Sequence, residues 1–383
     1  MNNFEFFNPT RIVFGKDTIK KIDKYIDKNN RVLITYGGGS IKRNGVYDQV
    51  IAALGDRKVF EFGGIEPNPH YETCMKCVDY IKENNIDFIL AVGGGSVIDA
   101  TKFISAAYYF EGYAWDIIAS NKKIERAIPF GTVLTLPATG SEMNSGSVIT
   151  LNETKVKKSF HSELCFPIFS ILDPILTLTL PKKQISNGIA DTFIHVIEQY
   201  LTYPVNNQIS DRFAESILIT LIEESKKVFS NPEDYDVRAN IMWSATLGLN
   251  GLIGCGVPQD WATHMIGHEL TVLHGLDHGI TLAIVLPGVM KIMKDEKGDK
   301  ILQMGERVFG IKDGEREERI LKTIEETENF FISIGIPTRL SDHGLDENCI
   351  DPIVQRMIDR KWSLGENGTI NPEKVRLILL DRL

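Results

Sequence analysis

Hydrophobic residues in the first half of the chain form two kinds of pattern in turn. Short continuous runs predict buried strands at Arg31–Tyr36, Lys58–Phe62, Asp87–Val92 and Thr132–Leu136. Between these runs, apolar residues recur every three or four positions, as they do on one face of a helix. Strands that alternate with helices are typical of a parallel sheet with helices on both faces. We therefore predict an α/β domain over residues 1–180.

A different pattern begins at Pro181. From there to the end of the chain the apolar residues keep helical spacing, and no convincing strand is present. Residues 181–383 are therefore predicted to form an all-α domain. At the other end of the chain, Asn3–Phe6 and Arg11–Phe14 are short strand-like segments on either side of Asn8-Pro9. They predict a small opening hairpin.

Three consecutive glycines stand where the third predicted strand becomes a helix, in Gly93-Gly94-Gly95-Ser96. Glycine lets phosphate oxygens approach bare backbone N–H groups, and the helix N-terminus adds positive potential. A tight turn alone needs fewer glycines than this. We predict a phosphate-binding turn, and we expect the glycine-containing segment Thr135–Glu142 after the next strand to line the same site.

Another glycine run, Gly37-Gly38-Gly39-Ser40, follows the first predicted strand. In many NAD enzymes an acidic residue near this position accepts the adenosine 2′-hydroxyl. No acid lies between residues 35 and 47 here, whereas Ser40 is followed by Lys42 and Arg43. A hydroxyl and two cations suit a 2′-phosphate, so the sequence predicts that the cofactor is NADP(H).

Histidines are concentrated in the second half of the chain. Half of the eight lie close together, at His264, His268, His274 and His278. Upstream, Asp191 and His195 are four residues apart on a predicted helix, which directs both side chains to one site. One carboxylate with several imidazoles suits a divalent metal ion that polarises a carbonyl. Spacing alone does not decide which of the four clustered histidines bind it.

Composition narrows the classes of protein further. A net charge of −9 argues against a nucleic-acid partner, which requires a basic face. The longest apolar run, Ile280–Met290, is interrupted by Pro287 and is too short to cross a bilayer, and no signal peptide is visible. Five cysteines, an odd number, do not form a disulfide framework. We expect a cytoplasmic protein without a membrane partner.

These segments together resemble the iron-containing (group III) alcohol dehydrogenase family. The motifs that carry the resemblance are Asn8–Gly15, Gly93–Asp99, Thr135–Glu142, Asp191-x3-His195 and His264-x3-His268-x9-His278. Gly37–Ser40 and Gly63–Pro69 are similar to the butanol dehydrogenase-like, NADPH-dependent aldehyde reductase branch. The likeness extends over essentially the whole chain and implies an α/β dinucleotide-binding domain followed by a helical metal-binding domain.

The resemblance also implies an activity and a set of site residues. The activity is hydride transfer between NADP(H) and an aldehyde/primary alcohol pair, with one Fe²⁺ or Zn²⁺ held by Asp191, His195, His264 and His278. His268 corresponds to a histidine near the nicotinamide that is a candidate for proton transfer, and His274 has no role. The cofactor-contacting positions correspond to Gly38, Ser40, Gly94, Gly95, Ser96, Asp99, Thr135, Thr139 and Lys157. A homodimer involving the N-terminal hairpin is implied as well.

Three other functions compete with this one. A dehydroquinate synthase-like lyase also combines a nicotinamide cofactor with a metal, but it needs a basic pocket for a phosphorylated acid. Segments 188–200 and 261–281, on the metal side, contain no lysine or arginine. A metallohydrolase would use the ion to activate water, with the glycine runs serving only as turns. A non-catalytic nucleotide-binding module would have no need of the histidine cluster.

Overall fold

The computed structural model describes residues 1–383, and its strands all precede Asp173. The strands are β1 (Arg11–Phe14), β2 (Arg31–Thr35), β3 (Lys58–Phe62), β4 (Phe88–Gly94), β5 (Phe130–Leu136), β6 (Gly146–Leu151), β7 (Val156–His161) and β8 (Phe169–Leu172). The helices are α1 (Ser40–Arg43), α2 (Val46–Leu54), α3 (Tyr71–Asn84), α4 (Gly95–Ala107), α5 (Asp116–Ala119), α6 (Lys182–Tyr200), α7 (Gln208–Ser230), α8 (Tyr235–Gly248), α9 (Ala262–His274), α10 (His278–Ile292), α11 (Lys294–Arg307), α12 (Arg316–Ser333), α13 (Ile350–Asp359) and α14 (Pro372–Asp381).

Six of the strands form one parallel sheet in the order β1-β8-β5-β4-β2-β3. The remaining two, β6 and β7, form an antiparallel pair. Because successive side chains of a strand point to opposite faces, Leu33 lies in one hydrophobic core and Val32 and Ile34 lie in another. Helices α3 and α4 contribute to the first core and α2 to the second. The predicted parallel sheet with helices on both faces is confirmed.

Helices make up the part of the chain after Pro181, as the sequence predicts. On α9, Ala262, Ile266 and Leu270 recur every four residues and form a buried stripe against α10, α13 and α14. Helix α10 also packs on α6, and Gly279 makes this approach close. A β-carbon at Gly279 would lie 2.6 Å from the carbonyl oxygen of Asn187, so this glycine lets the start of α10 reach α6.

The chain divides into two compact units. One consists of Phe7–Leu180 with Glu233–Asn250, and therefore contains the sheet and α8. The other consists of Met1–Phe6, Pro181–Pro232 and Gly251–Leu383. None of the helices combines the length and the apolar character that a membrane span requires.

The opening hairpin predicted from the sequence is wrong. Asn3–Phe6 forms no strand, and β1 pairs in parallel with β8 at the edge of the sheet. The side-chain NH₂ group of Asn8 donates to the carbonyl oxygens of Met143 and Asn250 at 2.8 and 3.0 Å. These long-range bonds direct the chain away from a hairpin, and nothing local in the sequence signals them.

Candidate metal centre and cofactor-binding turns

Two of the predicted metal ligands lie on α6. Asp191 and His195 are one helical turn apart, and both are buried. The Nε2 atom of His195 is 3.5 Å from Oδ1 of Asp191. The four-residue spacing therefore directs both side chains to one point, as the sequence predicts.

Two clustered histidines reach the same carboxylate oxygen from other helices. His264, in the first turn of α9, places Nε2 at 3.7 Å from Oδ1 of Asp191. His278, the first residue of α10, places Nε2 at 3.6 Å from that oxygen. The Nε2 atoms of His264 and His195 are 3.1 Å apart. Of the four histidines between which spacing could not choose, these two converge on Asp191.

The geometry of this cluster fits a metal ion. Two ligand atoms at about 2.1 Å from an ion in tetrahedral coordination lie roughly 3.4 Å apart, close to the separations around Asp191. Oδ1 of Asp191 is buried and accepts no hydrogen bond from the protein. A buried acceptor without a donor is costly, and a cation offsets that cost. The donor atoms of Asp191, His195 and His264 all lie within 4.8 Å of one another. With Nε2 of His278, which is close to Asp191, the set would comprise three nitrogens and one oxygen, a combination suited to iron(II) or zinc.

An ionised carboxylate lies at the centre of the cluster. Burial raises the pKa of Asp191, but the imidazoles of His195, His278 and His264 outweigh this and hold the pKa well below its usual range. Asp191 is therefore ionised at neutral pH. Burial lowers the pKa of His264, whereas Glu198 and Asp191 raise it, to a net value of about 9. No motif in the sequence indicates that Glu198 belongs to this site, although it lies only three residues after His195.

His268 and His274 also lie on α9 but have different surroundings. His268 is one turn after His264 and is buried. The centroid of its ring is 6.1 Å from that of His264 and 5.3 Å from that of His278. His274, at the end of the helix, makes no ring contact or ion pair with the cluster. The structure therefore brings His268, but not His274, to the predicted metal ligands.

In the unit that contains the sheet, the glycine run forms the end of β4 and the first residue of α4. A β-carbon at Gly95 would clash with the side chain of Thr139, so the loop after β5 packs against the helix N-terminus. The hydroxyl of Ser96 accepts a hydrogen bond from the backbone N–H of Asn68 at 3.3 Å. The side-chain oxygen of Asn68 accepts one from Lys157 at 2.7 Å. Asn68 thus connects two predicted cofactor residues, and sequence reasoning missed it.

Asp99, another predicted cofactor residue, is held by protein donors. Its Oδ1 accepts a hydrogen bond from the Ser141 hydroxyl at 2.6 Å, and Oδ2 accepts one from the Val148 N–H at 2.9 Å. The ammonium group of Lys102, which is fully buried, donates to the same Ser141 hydroxyl at 2.8 Å. Burial raises the pKa of Asp99 and lowers that of Lys102 to about 8. The Asp99 carboxylate thus anchors the segments that follow β5, and its contact with a cofactor stays a prediction.

The first glycine run connects β2 to α1. Gly38 and Ser40 are exposed, and Gly39 has a left-handed backbone with φ of 82°. Lys42 pairs with Glu61 of β3, and the Tyr36 hydroxyl donates to the same carboxylate at 3.1 Å. Glu61 lies on the neighbouring strand, in register with Ile34. It is therefore outside residues 35–47, the segment that contains no acidic residue. Lys42 therefore already has a carboxylate partner, which no residue near it in the sequence indicates.

Comparison with known proteins gives a consistent set of relatives. The family model "Iron-containing alcohol dehydrogenase" matches residues 9–174, and "Fe-containing alcohol dehydrogenase family, C-terminal" matches 185–383. The NADPH-dependent aldehyde reductase YqhD of Escherichia coli K12 is 53% identical over 382 residues, 99% of each chain. Probable NADH-dependent butanol dehydrogenase 1 of Bacillus subtilis 168 is 43% identical over 384 residues, again 99% of each chain. The solved substrate- and cofactor-free form of the E. coli reductase has a TM-score of 0.94 at 51% identity and covers 100% of both chains.

Proposed function

We propose that this chain, which belongs to the iron-containing alcohol dehydrogenase family, is a metal-dependent aldehyde reductase and alcohol dehydrogenase that uses NADP(H). The observation that carries the proposal is the convergence of three imidazole nitrogens on Oδ1 of Asp191, at 3.5 to 3.7 Å. The whole-chain similarity to an NADPH-dependent aldehyde reductase supports the substrate class and the cofactor.

The residues of the metal cluster have separable roles in this proposal. Asp191, His195, His264 and His278 hold one divalent ion, iron(II) or zinc. Lewis-acid polarisation of a carbonyl oxygen is the chemistry that such an ion supplies, and hydride donation is what NADPH supplies. Because three of the four ligands are neutral, the site keeps net positive charge where negative charge develops on the substrate oxygen. An imidazole nitrogen of His268 relays the proton that the product alcohol requires.

The glycine turns hold the cofactor in the same proposal. The N-terminus of α4, with Gly94, Gly95 and Ser96, binds the pyrophosphate through backbone N–H groups. The run Gly37-Gly38-Gly39 with Ser40 leaves room for the adenosine 2′-phosphate. The nicotinamide half is bound by Asp99, Thr135, Thr139 and Lys157. The connection of Lys157 to Ser96 through Asn68 supports placing these residues at one site.

The organisation of the molecule is proposed on the same basis. Residues 1–180 form the NADP-binding domain and 181–383 the metal-binding domain, although Glu233–Asn250 belongs to the compact unit that contains the sheet. Free thiols at all five cysteines support a cytoplasmic location. Strand β1 lies at an open sheet edge with Phe14 exposed, which supports a homodimer formed at that edge. Light scattering coupled to gel filtration measures the oligomeric state.

The decisive test of the activity follows the nicotinamide absorbance. The metal-loaded protein is mixed with NADPH and an aliphatic aldehyde, and we expect absorbance to fall with one NADPH consumed for each alcohol formed. A dehydroquinate synthase-like lyase, a metallohydrolase or a nucleotide-binding module would leave NADPH unconsumed on aldehyde addition. A panel of aldehydes of increasing chain length then identifies the preferred substrate.

Replacing His268 with glutamine tests its assigned role. Glutamine keeps a polar side chain of similar reach but cannot exchange a proton near neutral pH, so turnover should fall by about a hundredfold. Metal content, measured by elemental analysis of the purified protein, should stay near one ion per chain. Loss of the ion in His268→Gln would show that the ligand set is wrongly assigned.

A further inference from the structure

Glu198 lies next to the metal cluster but faces away from the point where the ligands converge. It follows His195 by three residues on α6 and is 4% exposed. Its Oε1 accepts a hydrogen bond from the backbone N–H of His264 at 3.1 Å, and its Oε2 contacts Nδ1 of the same residue. Both oxygens of one carboxylate are therefore engaged by a single histidine, through its backbone and its ring.

This contact has a consequence for the other ring nitrogen of His264. A carboxylate at Nδ1 keeps a proton on that atom, so Nε2 is the nitrogen that gives up its proton and offers a lone pair to an ion. Nε2 is the atom that lies 3.1 Å from Nε2 of His195 and 3.7 Å from Oδ1 of Asp191. The hydrogen bond that the backbone N–H of His264 donates to Oε1 fixes the position of His264, while the contact of Oε2 with Nδ1 fixes the rotation of its ring.

We propose that Glu198 is a positioning residue of the metal centre: it orients His264 and sets the tautomer in which that imidazole binds the ion. The inference rests on the metal site of the proposed function. Glu198 is not itself a fifth ligand. It contacts Nδ1 of His264, whereas the nitrogen that faces Asp191 is Nε2. A carboxylate behind a ligating histidine also makes the imidazole a stronger base and hence a better ligand.

A second layer of buried charge holds Glu198 and the two helices in place. The carbonyl oxygen of Glu198 accepts a hydrogen bond from the backbone N–H of Asp260 at 2.8 Å. Lys297, also buried, pairs with Asp260 at 2.8 Å and with Glu366 at 2.7 Å. Its ammonium group donates as well to the carbonyl oxygen of Leu201, just after α6, at 2.8 Å. Lys297 thus ties the end of α6 to Asp260, two residues before α9, and helps to fix the distance between the two helices that carry three of the predicted ligands.

The experiment measures metal affinity directly in the protein freed of metal. In Glu198→Gln the side chain keeps its shape but has one acceptor oxygen in place of two, so it cannot accept from both the backbone N–H and Nδ1 of His264. Competition with a chromophoric chelator for Zn²⁺ should show binding weaker by about ten- to a hundredfold. The melting temperature of the metal-free variant should fall, because the substitution takes the carboxylate partner from the buried imidazole of His264. Cobalt(II) loaded into the variant should have a shifted d–d absorption spectrum, since the orientation of a ligand has changed.

Two further variants make the result unambiguous. Glu269→Gln is the matched control: Glu269 is a buried carboxylate on the same helix as His264, but it contacts Arg356 and Arg360. We expect this control to melt at a lower temperature with unchanged Zn²⁺ affinity. Glu198→Asp keeps the charge but withdraws it from Nδ1 by one methylene, and it should also bind Zn²⁺ more weakly. This variant serves as the test if Glu198→Gln does not fold.

Each outcome decides one claim. Unchanged Zn²⁺ affinity in the Glu198 variants, with affinity lost in His264→Ala, overturns the role of Glu198 and leaves the metal site standing. Equal weakening in Glu198→Gln and Glu269→Gln also overturns it, because general loosening of the helices then explains the loss. Failure of the wild-type protein to bind either Zn²⁺ or Fe²⁺ counts against the proposed function itself.

Discussion

Replacement of His264 with alanine should remove the bound metal and lower kcat/KM by about three orders of magnitude. The physical reason is the loss of a ligand at 3.7 Å from Oδ1 of Asp191 and 3.1 Å from Nε2 of His195. A cation that stabilises developing charge contributes several kcal/mol to the transition state, and about 4 kcal/mol corresponds to roughly a thousandfold in rate. Elemental analysis and steady-state kinetics on the same preparation measure both effects.

His274→Ala is the matched control for this prediction. It removes an imidazole from the same helix, but one without ring contacts or ion pairs to the cluster, so metal content and kcat/KM should stay near the wild-type values. Thorough chelation of the wild-type enzyme should likewise abolish turnover, and addition of one equivalent of Fe²⁺ or Zn²⁺ should restore it. Full activity in the metal-free enzyme would contradict the assignment of the cluster.

The second large effect concerns the choice of cofactor. Gly38→Asp should lower the NADPH/NADH ratio of kcat/KM at least tenfold, because the new carboxylate repels a 2′-phosphate and leaves NADH almost unaffected. The substitution fits the backbone, since a β-carbon at Gly38 has nothing within 4 Å. One charge-assisted hydrogen bond to a phosphate is worth roughly 1.5–3 kcal/mol, and each 1.4 kcal/mol is about a tenfold change in affinity.

Two companion variants complete the cofactor experiment. Asn29→Asp adds the same charge at the opposite end of β2, where the residue is exposed, and should leave the ratio unchanged. Ser40→Ala should weaken NADPH more than NADH by removing a hydroxyl near the 2′-phosphate. Equal use of the two cofactors by the wild type would disprove the preference for NADPH. The relatives include both kinds of enzyme: the E. coli reductase is named for NADPH and the B. subtilis butanol dehydrogenase for NADH.

The parts of the fold that depend on local pattern could be predicted from the sequence. Continuous apolar runs such as Asp87–Val92 identified the parallel strands, and helical spacing after Pro181 identified the helices. The opening hairpin could not be predicted correctly, because the path of the chain there is set by Asn8 bonding to Met143 and Asn250. Such long-range polar contacts have no local signature.

The candidate site also has one part that the sequence predicts and another that depends on how helices and strands pack. Asp191 and His195 share a helix face, so their spacing was sufficient to bring them together. The approach of His264 and His278 depends on how α9 and α10 pack against α6, and without the resemblance to a known family the sequence left four histidines equivalent. Glu61 was missed for a related reason, because pairing of β2 with β3 brings it beside the first glycine run.

The buried group of Lys297, Asp260 and Glu366 has a consequence for how the protein is made. During synthesis the four proposed metal ligands leave the ribosome before Glu366 does, since His278, the last of them, precedes it in the chain. A nascent chain therefore carries every ligand before it carries the carboxylate that completes the ion pairs of Lys297. An ion that arrives at this stage meets histidines whose helices are not yet held at a fixed spacing. We therefore expect the proposed site to retain metal tightly only after the segment that carries Glu366 has folded.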